Sequence, residues 1–440
     1  MTREAPVVLW FRRDLRLEDH AALFEASRHS KHVLALYVLD EALLKPSGAP
    51  RTAFLYGCLR ALDSQLGGRL MVVRGNPAVE VVKAVRGIGA AAVHVSADCG
   101  PYGRRRDASV AKSLAEHDIE LVSTGSPYAV TPGRVTKPDG EPYRVFTPFY
   151  RAWLQHGWRA PARPSSVDWV RPVESLEIPR LTVDASLPEP GETAAHDAWQ
   201  AFLDNGIETY DVDRDRPDLA GTTRLSPYLR WGCVHPRTLL ADLAGDDRPG
   251  VRSLRSELCW REFHADVLWH RPETARRNYD SRFDRMQYDS DVDAFERWCR
   301  GETGFPIVDA GMRQLLAEGW MHNRVRMVVA SFLVKDLHLP WQWGARHFMR
   351  HLVDGDLASN QLNWQWVAGS GTDAAPYFRV FNPVVQGEKF DPDGEYVRRY
   401  VPELRGVAGK AVHRSGVAPM VDHAEERQVA LERWGRVQGS

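Results

Sequence analysis

The chain of 440 residues contains no apolar run long enough to cross a bilayer, which predicts that no segment spans a membrane. Its five cysteines show no C-x-x-C spacing, so a disulfide scaffold or a zinc ribbon is not expected. The formal net charge is −1, which excludes a globally basic nucleic-acid coat and requires any DNA contact to come from a local basic patch. The N-terminus lacks an apolar signal region before its charges, so we expect a cytoplasmic protein.

Short apolar runs alternate with amphipathic stretches over the first 125 residues. Alternation of this kind predicts a Rossmann-like α/β domain, with a parallel sheet covered by helices on both faces. No G-x-G-x-x-G sequence follows any of the apolar runs, so the domain shows no dinucleotide-binding fingerprint. We predict strands at 7–11, 33–39, 70–74, 91–95 and 119–123, separated by helices near 19–29, 51–66, 77–87 and 104–117.

The character of the chain changes twice after this region. Residues 126–192 are rich in proline and poor in periodicity, which predicts an interdomain connector. Segments of helical length separated by Gly and Pro then predict an all-helical C-terminal domain. Of the fifteen tryptophans only Trp10 precedes residue 150, so the aromatic chemistry belongs to the later part of the chain. The predicted domains are therefore 1–125, 126–192 and 193–440.

The most unusual stretch is HLVDGDLASNQLNWQWVAGSGTDAAPYFRVFNP at 351–383. It brings together two acids (Asp354, Asp356), an amide (Asn360) and two indoles (Trp364, Trp366) within a few turns of chain. Acid, amide and indole groups cost free energy when they are buried without partners. Such a concentration predicts that a polar, planar ligand lies against this segment.

Four further stretches carry unusual sets of polar and aromatic side chains. VLWFRRDLRLEDHAAL (8–23) follows the first predicted strand, where an Arg- and Asp-rich loop could equally be a solvated turn. GTTRLSPYLRWG (221–232) offers hydroxyl groups that could cap a helix or, with the backbone N–H groups of a helix start, hold a diphosphate. SELCWREFHADVLW (256–269) could be a helix with an internal ion pair. The fourth is the Arg- and Met-rich segment at 298–336.

Together these stretches resemble the photolyase/cryptochrome family, from residue 7 to about residue 404, and are most similar to class I cyclobutane pyrimidine dimer photolyases. The resemblance implies an α/β domain, a connector and a helical domain that binds FAD in a U shape. It also implies an enzyme that repairs pyrimidine dimers in DNA, through light-driven electron transfer from FADH⁻ to a flipped-out dimer. A monomer is the family expectation.

The resemblance also implies the groups that hold FAD. Arg326 and Asp354 would form an ion pair near the isoalloxazine, and Asn360 would face flavin N5, where an amide favours the fully reduced anion. The segment 361–363 reads QLN in place of the frequent N-G-G. The implied FAD-binding residues are Tyr210, Thr222, Thr223, Arg224, Leu225, Ser226, Arg261, Asn323, Arg326, Asp354, Asp356 and Asn360.

A second group of residues is implied to contact the DNA lesion. Glu257 would hydrogen-bond a pyrimidine carbonyl and stabilise the dimer radical anion, and Trp260 and Trp366 would form the walls of the lesion pocket. Asn323 and Met327 occupy positions at which (6-4) photolyases carry His, which favours cyclobutane dimers as the substrate. The implied DNA-binding residues are Arg214, Glu257, Trp260, Asn323, Arg324, Met327 and Trp366.

Three tryptophans, Trp298, Trp341 and Trp364, match the family's chain for carrying an electron from the surface to the flavin. Large buried core residues are the alternative interpretation. An antenna chromophore is implied at Asp40, Arg51, Asp98 and Arg106. The segment DCGPYGRRRD (98–107) lacks the Asn-Glu pair of folate-binding members, which favours an 8-hydroxy-5-deazaflavin over methenyltetrahydrofolate, unless 103–107 is only a basic helix start on the surface.

Two other functions share parts of this pattern. A cryptochrome photoreceptor would have the same fold and FAD but would often carry a long, disordered C-terminal extension, whereas this sequence closes with the helical pattern DHAEERQVALERWGRV. A light-independent flavoprotein electron carrier would not need Trp260, Trp366 or Arg214. Preferential binding of dimer-containing DNA would separate repair from both alternatives.

Overall fold

The computed structural model describes residues 5–163, 166–372 and 378–439, so residues 373–377 of the acid- and indole-rich run lie outside it. A parallel sheet forms the centre of the N-terminal domain, in the order β3-β2-β1-β4-β5. A two-residue strand, β6, adds to the start of β2. The strands are β1 (Val7–Phe11), β2 (His32–Asp40), β3 (Leu70–Gly75), β4 (Ala92–Val95), β5 (Glu120–Ser123) and β6 (Asp168–Trp169).

Helices cover both faces of this sheet, as the alternating apolar pattern predicts. Local sequence sets their ends: Asn76 accepts a hydrogen bond from the N–H of Ala78 at the start of α4, and Gly89 ends that helix with a φ of 65°. The five predicted strands are confirmed to within one residue at most ends. The helices are α1 (Ala21–His29), α2 (Glu41–Leu44), α3 (Ala49–Gln65), α4 (Pro77–Ile88) and α5 (Pro101–Ala115).

The proline-rich connector contains more regular structure than its low periodicity predicts. Helix α6 (Phe146–His156) buries Phe146, Phe149 and Trp153 at one-turn spacing, and Phe149 packs against Phe263 with ring centroids 5.2 Å apart. Strand β6 also lies in this segment. The periodic pattern of α6 covers only 11 residues of a proline-rich segment, and both elements are stabilised by packing against the two flanking domains.

The regular elements of the C-terminal domain are all helices over its described residues, as predicted. Its long central helix, α11, contacts α6, α8 and α16, so it connects the segments that carry the unusual side chains. The helices are α7 (Glu192–Asn205), α8 (Tyr210–Asp213), α9 (Ser226–Trp231), α10 (Pro236–Asp242), α11 (Pro249–His270), α12 (Val292–Arg300), α13 (Pro306–Glu318), α14 (Asn323–Lys335), α15 (Trp341–His351), α16 (Leu357–Ala368), α17 (Pro383–Phe390), α18 (Glu395–Tyr400) and α19 (His423–Gln438).

The loop after β1 is not a solvated turn, so that interpretation of residues 12–20 is wrong. Arg12, Arg16 and Asp19 are buried, and their side chains join the loop to distant parts of the chain. Arg16 donates to the carbonyl of Gly232 at 3.0 Å, and Asp19 accepts from Arg237 at 2.6 Å. Buried charges need such partners, so the charged residues of this loop specify how the two domains dock.

No helix within the described ranges is long and apolar enough to cross a membrane, in agreement with the sequence. The five cysteines are free thiols. Two of them, Cys58 on α3 and Cys233 after α9, meet between the domains with their sulfur atoms 3.6 Å apart. This contact belongs to the buried interface between the sheet domain and the helical domain.

Candidate active site

The acid Asp356 caps the helix that carries the indole-rich run. Its Oδ1 accepts a hydrogen bond from the N–H of Ser359 at 3.1 Å, which satisfies a free donor in the first turn of α16. Its Oδ2 lies 2.5 Å from Nη2 of Arg13, which comes from the loop after β1. Burial alone would raise the pKa of Asp356, but the charges of Arg13 and Arg230 lower it well below its usual range. Asp356 is therefore a buried, ionised carboxylate.

The second acid of the run, Asp354, forms the ion pair that the resemblance implies. Its Oδ2 lies 2.8 Å from Nη2 of Arg326, whose Nε donates to the carbonyl of Met321 at 2.8 Å. The other oxygen, Oδ1, is buried and has no hydrogen-bond partner. A buried carboxylate oxygen without a donor is costly, so this atom is suited to accept a hydrogen bond from a ligand.

The hydroxyl-rich segment at 221–232 does not cap helix α9, so the capping interpretation is wrong. The N-cap position is occupied by Leu225, and no side chain hydrogen-bonds to the helix start there. The hydroxyl of Thr223 accepts from the N–H of Leu225 at 3.3 Å, within the loop itself. Arg224 adopts a φ of 52°, which is uncommon for a residue with a side chain and marks a specialised loop.

Trp320, which the family resemblance does not implicate in the site, joins this loop to the acid pair. Its indole nitrogen donates to Oγ of Ser226 at 3.2 Å. The guanidinium of Arg224 lies 3.8 Å from the ring centroid and that of Arg326 lies 5.9 Å from it. The only sequence signal was its position three residues before Asn323. Trp320 therefore brings the candidate diphosphate loop and the Arg326–Asp354 pair into one site.

Glu257 on α11 pairs with Arg214, not with Arg261 on its own helix as the internal ion-pair interpretation requires. Its Oε1 lies 2.7 Å from Nη2 of Arg214, and Arg214 also donates to Oγ of Ser253 at 3.0 Å. Burial raises the pKa of Glu257, although Arg214 acts in the opposite direction. Arg261 instead donates to the carbonyls of Pro127 and Leu229. Tyr210 lies beneath the Arg214 guanidinium, 5.6 Å away.

The start of α14 presents the remaining candidate substrate contacts. Asn323 is its first residue and is exposed. Arg324 pairs with Asp215 at 2.6 Å and stacks over the ring of Phe390 at 4.3 Å. One of its guanidinium nitrogens lies 3.8 Å from the sulfur of Met327. These groups are half-buried or exposed, so they are available to a large ligand.

The two tryptophans proposed as pocket walls have different neighbours in this structure. Trp260 stacks on Phe146 with centroids 3.7 Å apart and an interplanar angle of 8°. Trp366 lines a cavity of about 900 Å³ together with Arg144 and Arg379. Trp260 is not among the described residues that line this cavity. Arg144 belongs to the same segment as Phe146, so the cavity and the Trp260 stack adjoin through residues 144–146.

The three tryptophans of the proposed electron chain are all buried. Trp298 and Trp364 meet edge to face, with centroids 6.2 Å apart, and Phe348 packs against both rings. Trp341 donates from its indole nitrogen to Oδ1 of Asn278 at 2.9 Å. None of the three reaches the surface, since their exposed fractions are 0 to 3%. An electron path from the surface to the flavin through these tryptophans therefore requires another residue between the solvent and the three rings.

Only part of the predicted antenna set forms a cluster. Asp98 pairs with Arg106 at 3.1 Å near the start of α5, and Asp40 accepts a hydrogen bond from the hydroxyl of Tyr102. Arg106 is buried, so the interpretation of 103–107 as a surface helix start is wrong for this residue. Arg51 instead donates to the carbonyl of Gly355 at 3.2 Å, in the loop between the two acids of the run.

The comparisons with known proteins agree with this architecture. Residues 7–166 match the model for DNA photolyase, and residues 253–436 match that for the FAD binding domain of DNA photolyase. The chain is 42% identical to the deoxyribodipyrimidine photo-lyase of Streptomyces griseus, over 96% of this chain and 97% of that protein.

The chain belongs to the DNA photolyase family. It is also 38% identical to the deoxyribodipyrimidine photo-lyase of Agrobacterium fabrum, over 99% of this chain and 98% of the relative. A class III photolyase structure from Agrobacterium tumefaciens superposes with a TM-score of 0.91 at 36% identity, covering 100% of this chain and 99% of the other. The family and the two-domain fold are thus confirmed, and the assignment to class I stays a prediction.

Two further solved structures share the fold. An archaeal photolyase from Sulfolobus tokodaii that contains two FAD molecules has a TM-score of 0.87 at 30% identity, over 98% of this chain and 100% of that one. A cryptochrome from Synechocystis has a TM-score of 0.90 at 26% identity, over 98% and 100%. Because a photolyase and a cryptochrome superpose almost equally well, the fold alone does not separate repair from signalling.

Proposed function

We propose that this protein is a deoxyribodipyrimidine photo-lyase, an enzyme that uses light to split cyclobutane pyrimidine dimers in DNA. Near-complete alignment with relatives of that name, at 36 to 42% identity, supports repair over the cryptochrome alternative. The observation that carries the proposal is a half-buried carboxylic acid, Glu257, held by Arg214 on the helix that also presents Trp260.

The residues of the site fit FAD as the cofactor. The orphan Oδ1 of Asp354 can accept from a ring N–H, and the uncapped segment 222–226 leaves hydroxyl and backbone N–H groups for a diphosphate. Asn360 lies one turn beyond Asp356, with its amide donating to the carbonyl of Ala345 at 3.1 Å. When bound, reduced FAD supplies the electron that opens the dimer, while the protein supplies position, charge and exclusion of water.

In this proposal Glu257 acts on the substrate. Burial raises the pKa of Glu257 and so favours the protonated form, which would donate a hydrogen bond to a pyrimidine carbonyl. Such a donor stabilises negative charge that develops on the carbonyl oxygen when the dimer is reduced. Arg214 fixes the orientation of the carboxyl group through the 2.7 Å contact.

Binding of the DNA relies on a local basic surface, as the near-zero net charge requires. Arg214 and Arg324 would contact phosphates, and such contacts fix register without reading sequence. Photolyases extrude the damaged nucleotides from the duplex, and weakened pairing at a lesion lowers the cost of this step. Trp260 and Trp366 would then pack against the extruded pyrimidines. A monomeric state and a cytoplasmic location stay predictions.

The antenna site is the second part of the proposal. The Asp98–Arg106 pair and Asp40 would hold an 8-hydroxy-5-deazaflavin at the carboxyl ends of the strands, the edge at which open α/β sheets bind ligands. The two FAD molecules of the Sulfolobus tokodaii structure make a second flavin the competing antenna. Chromophores released by denaturing the purified protein distinguish these candidates through their absorption and fluorescence spectra.

The repair reaction can be tested with an oligothymidine that carries cyclobutane dimers. Recovery of its ultraviolet absorbance under blue light should require the reduced protein and should not occur in the dark. We expect Glu257→Ala to lower the repair yield by roughly tenfold, as loss of a hydrogen bond to developing charge predicts, while FAD stays bound. Glu296→Ala is the matched control, because this glutamate is exposed on α12 and pairs only with Arg300. A wild-type yield in Glu257→Ala would contradict the role of Glu257.

A further inference from the structure

Arg13 is a charged residue of the sheet domain that reaches into the candidate flavin site of the helical domain. It follows β1, and its Nη2 lies 2.5 Å from Oδ2 of Asp356, which is 343 positions away in the chain. Its Nε approaches the carbonyl of Arg230 at 3.4 Å. The side chain is 18% exposed and that of Asp356 is 11% exposed, so the pair is mostly shielded from water. A shielded pair of this geometry restrains both partners.

The backbone on both sides of this contact is packed without spare room. The N–H of Leu15 donates to the carbonyl of Trp231 at 3.1 Å. A Cβ built on Gly232 would lie 2.0 Å from the carbonyl oxygen of Arg13. The backbone of Arg13 is therefore held against the end of the candidate diphosphate segment, which limits how far the loop can shift relative to Asp356.

Asp356 transmits this restraint to the reactive part of the site. It caps α16, and its carbonyl accepts from the N–H of Asn360 at 2.8 Å. The guanidinium of Arg230 donates to the carbonyl of Gly355 at 2.9 Å, and that of Arg51 donates to the same carbonyl at 3.2 Å. Arg13 thus contacts the carboxylate of Asp356, whereas Arg230 and Arg51 contact the backbone carbonyl of Gly355 in the same short loop before α16.

We propose that Arg13 is a positioning residue of the flavin site, which acts through Asp356 to orient the first turn of α16 and to set the charge beside the cofactor. This inference rests on the proposed FAD function. The charge of Asp356 is maintained by Arg13 together with Arg230 and Arg261, and Arg13 also attracts Asp98 of the candidate antenna cluster.

The test compares the flavin of four purified holoproteins: wild type, Arg13→Gln, Arg13→Lys and Arg12→Gln. Arg12 is the matched control, because it lies in the same loop and forms a buried pair with Asp107 rather than with Asp356. Two readouts are the FAD content and the visible absorption bands of oxidised flavin. The third is the midpoint potential of the bound flavin, which gives the ratio of the protein's affinities for reduced and oxidised FAD.

We expect Arg13→Gln to favour oxidised over reduced FAD by roughly tenfold, since the loss of one positive charge near a reduced cofactor inside a protein has an effect of this order. Arg13→Lys should restore part of the shift, because it keeps the charge but not the fork geometry. Arg12→Gln should lower the melting temperature, because it breaks the pair with Asp107, but it should not change the ratio of affinities for reduced and oxidised FAD. An unchanged ratio in Arg13→Gln, or an equal change in Arg12→Gln, would overturn the inference.

Two further results separate the possible failures. Introducing Arg13→Gln into an Asp356→Asn background should cause a smaller shift than in the wild type, because the two residues act through one contact. Equal shifts in both backgrounds would show that Arg13 does not act through Asp356. If wild-type protein binds no FAD, the proposed function itself fails and the inference fails with it. If Arg13→Gln does not fold, the flavin absorption bands of Arg13→Lys and Asp356→Asn test the inference instead. Bands identical to those of the wild type in both variants would overturn it.

Discussion

The ion pair between Arg326 and Asp354 offers the sharpest test of how charge is held in the site. The side chain of Asp354 is 4% exposed and that of Arg326 is 25% exposed, so the carboxylate depends on the guanidinium while the guanidinium keeps some contact with water. One oxygen of Asp354 already has no partner. Arg326→Met would leave the other oxygen, Oδ2, buried without its cationic partner.

Removal of one partner from a buried pair costs about 3–5 kcal/mol, and the partial exposure of Arg326 places the expected loss near the lower end, about 3 kcal/mol. Adding Asp354→Asn to Arg326→Met removes the stranded charge, so the double variant should recover most of this loss. Urea unfolding of the holoprotein, followed by circular dichroism and flavin fluorescence, measures both effects. Arg300→Met on α12 is the control, because its pairs are exposed and should be worth about 1 kcal/mol or less.

Two outcomes would refute this reasoning. If Arg326→Met unfolds within about 0.5 kcal/mol of the wild type, the carboxylate of Asp354 is solvated or neutral and the site is more open than the structure shows. If the double variant is no more stable than Arg326→Met, the loss comes from packing of the arginine side chain and not from a stranded charge.

Three shorter predictions follow from other parts of the molecule. Gly232→Ala should lower the melting temperature by several degrees, because the new Cβ would lie 2.0 Å from the carbonyl of Arg13 and the φ of 68° strains any side chain. Burial lowers the pKa of Lys335 from 10.5 to about 7, so unfolding experiments should show stability rising between about pH 7 and pH 10.5, and Lys335→Met should flatten that rise. Trp364→Phe should slow light-driven reduction of oxidised FAD, measured by flavin absorbance, whereas Trp269→Phe, outside the Trp298–Trp364 contact, should not.

Much of the fold could be predicted because local patterns decide it. The strands of the sheet domain are continuous apolar runs, and burial on both faces makes such runs recognisable without tertiary information. The Arg326–Asp354 pair was also expected from the family resemblance, and the structure contains it. The regular elements of the connector were missed, because α6 is stabilised by contacts of Phe149 and Trp153 with other segments and not by its own sequence.

The interpretation of single motifs depended on contacts that no local pattern records. The charged loop after β1 has the composition of a solvated turn, and only the docking of the helical domain buries Arg16 and Asp19. The hydroxyls near Thr223 have the composition of a helix cap, yet Leu225 occupies the cap position. The type of a residue limits which interactions its side chain can make. The tertiary packing then determines which partner the side chain contacts.

The sequence by itself determined the order of the domains, the strands of the sheet and the residues that carry the family resemblance, because these follow from hydrophobic periodicity and from runs of chemically unusual side chains. Only the tertiary structure decided which charges meet. Glu257 pairs with Arg214 instead of Arg261, and Asp356 pairs with Arg13 across 343 positions of chain. The energy of a buried charge depends on the distance and solvation of its partner, and both are properties of the folded chain.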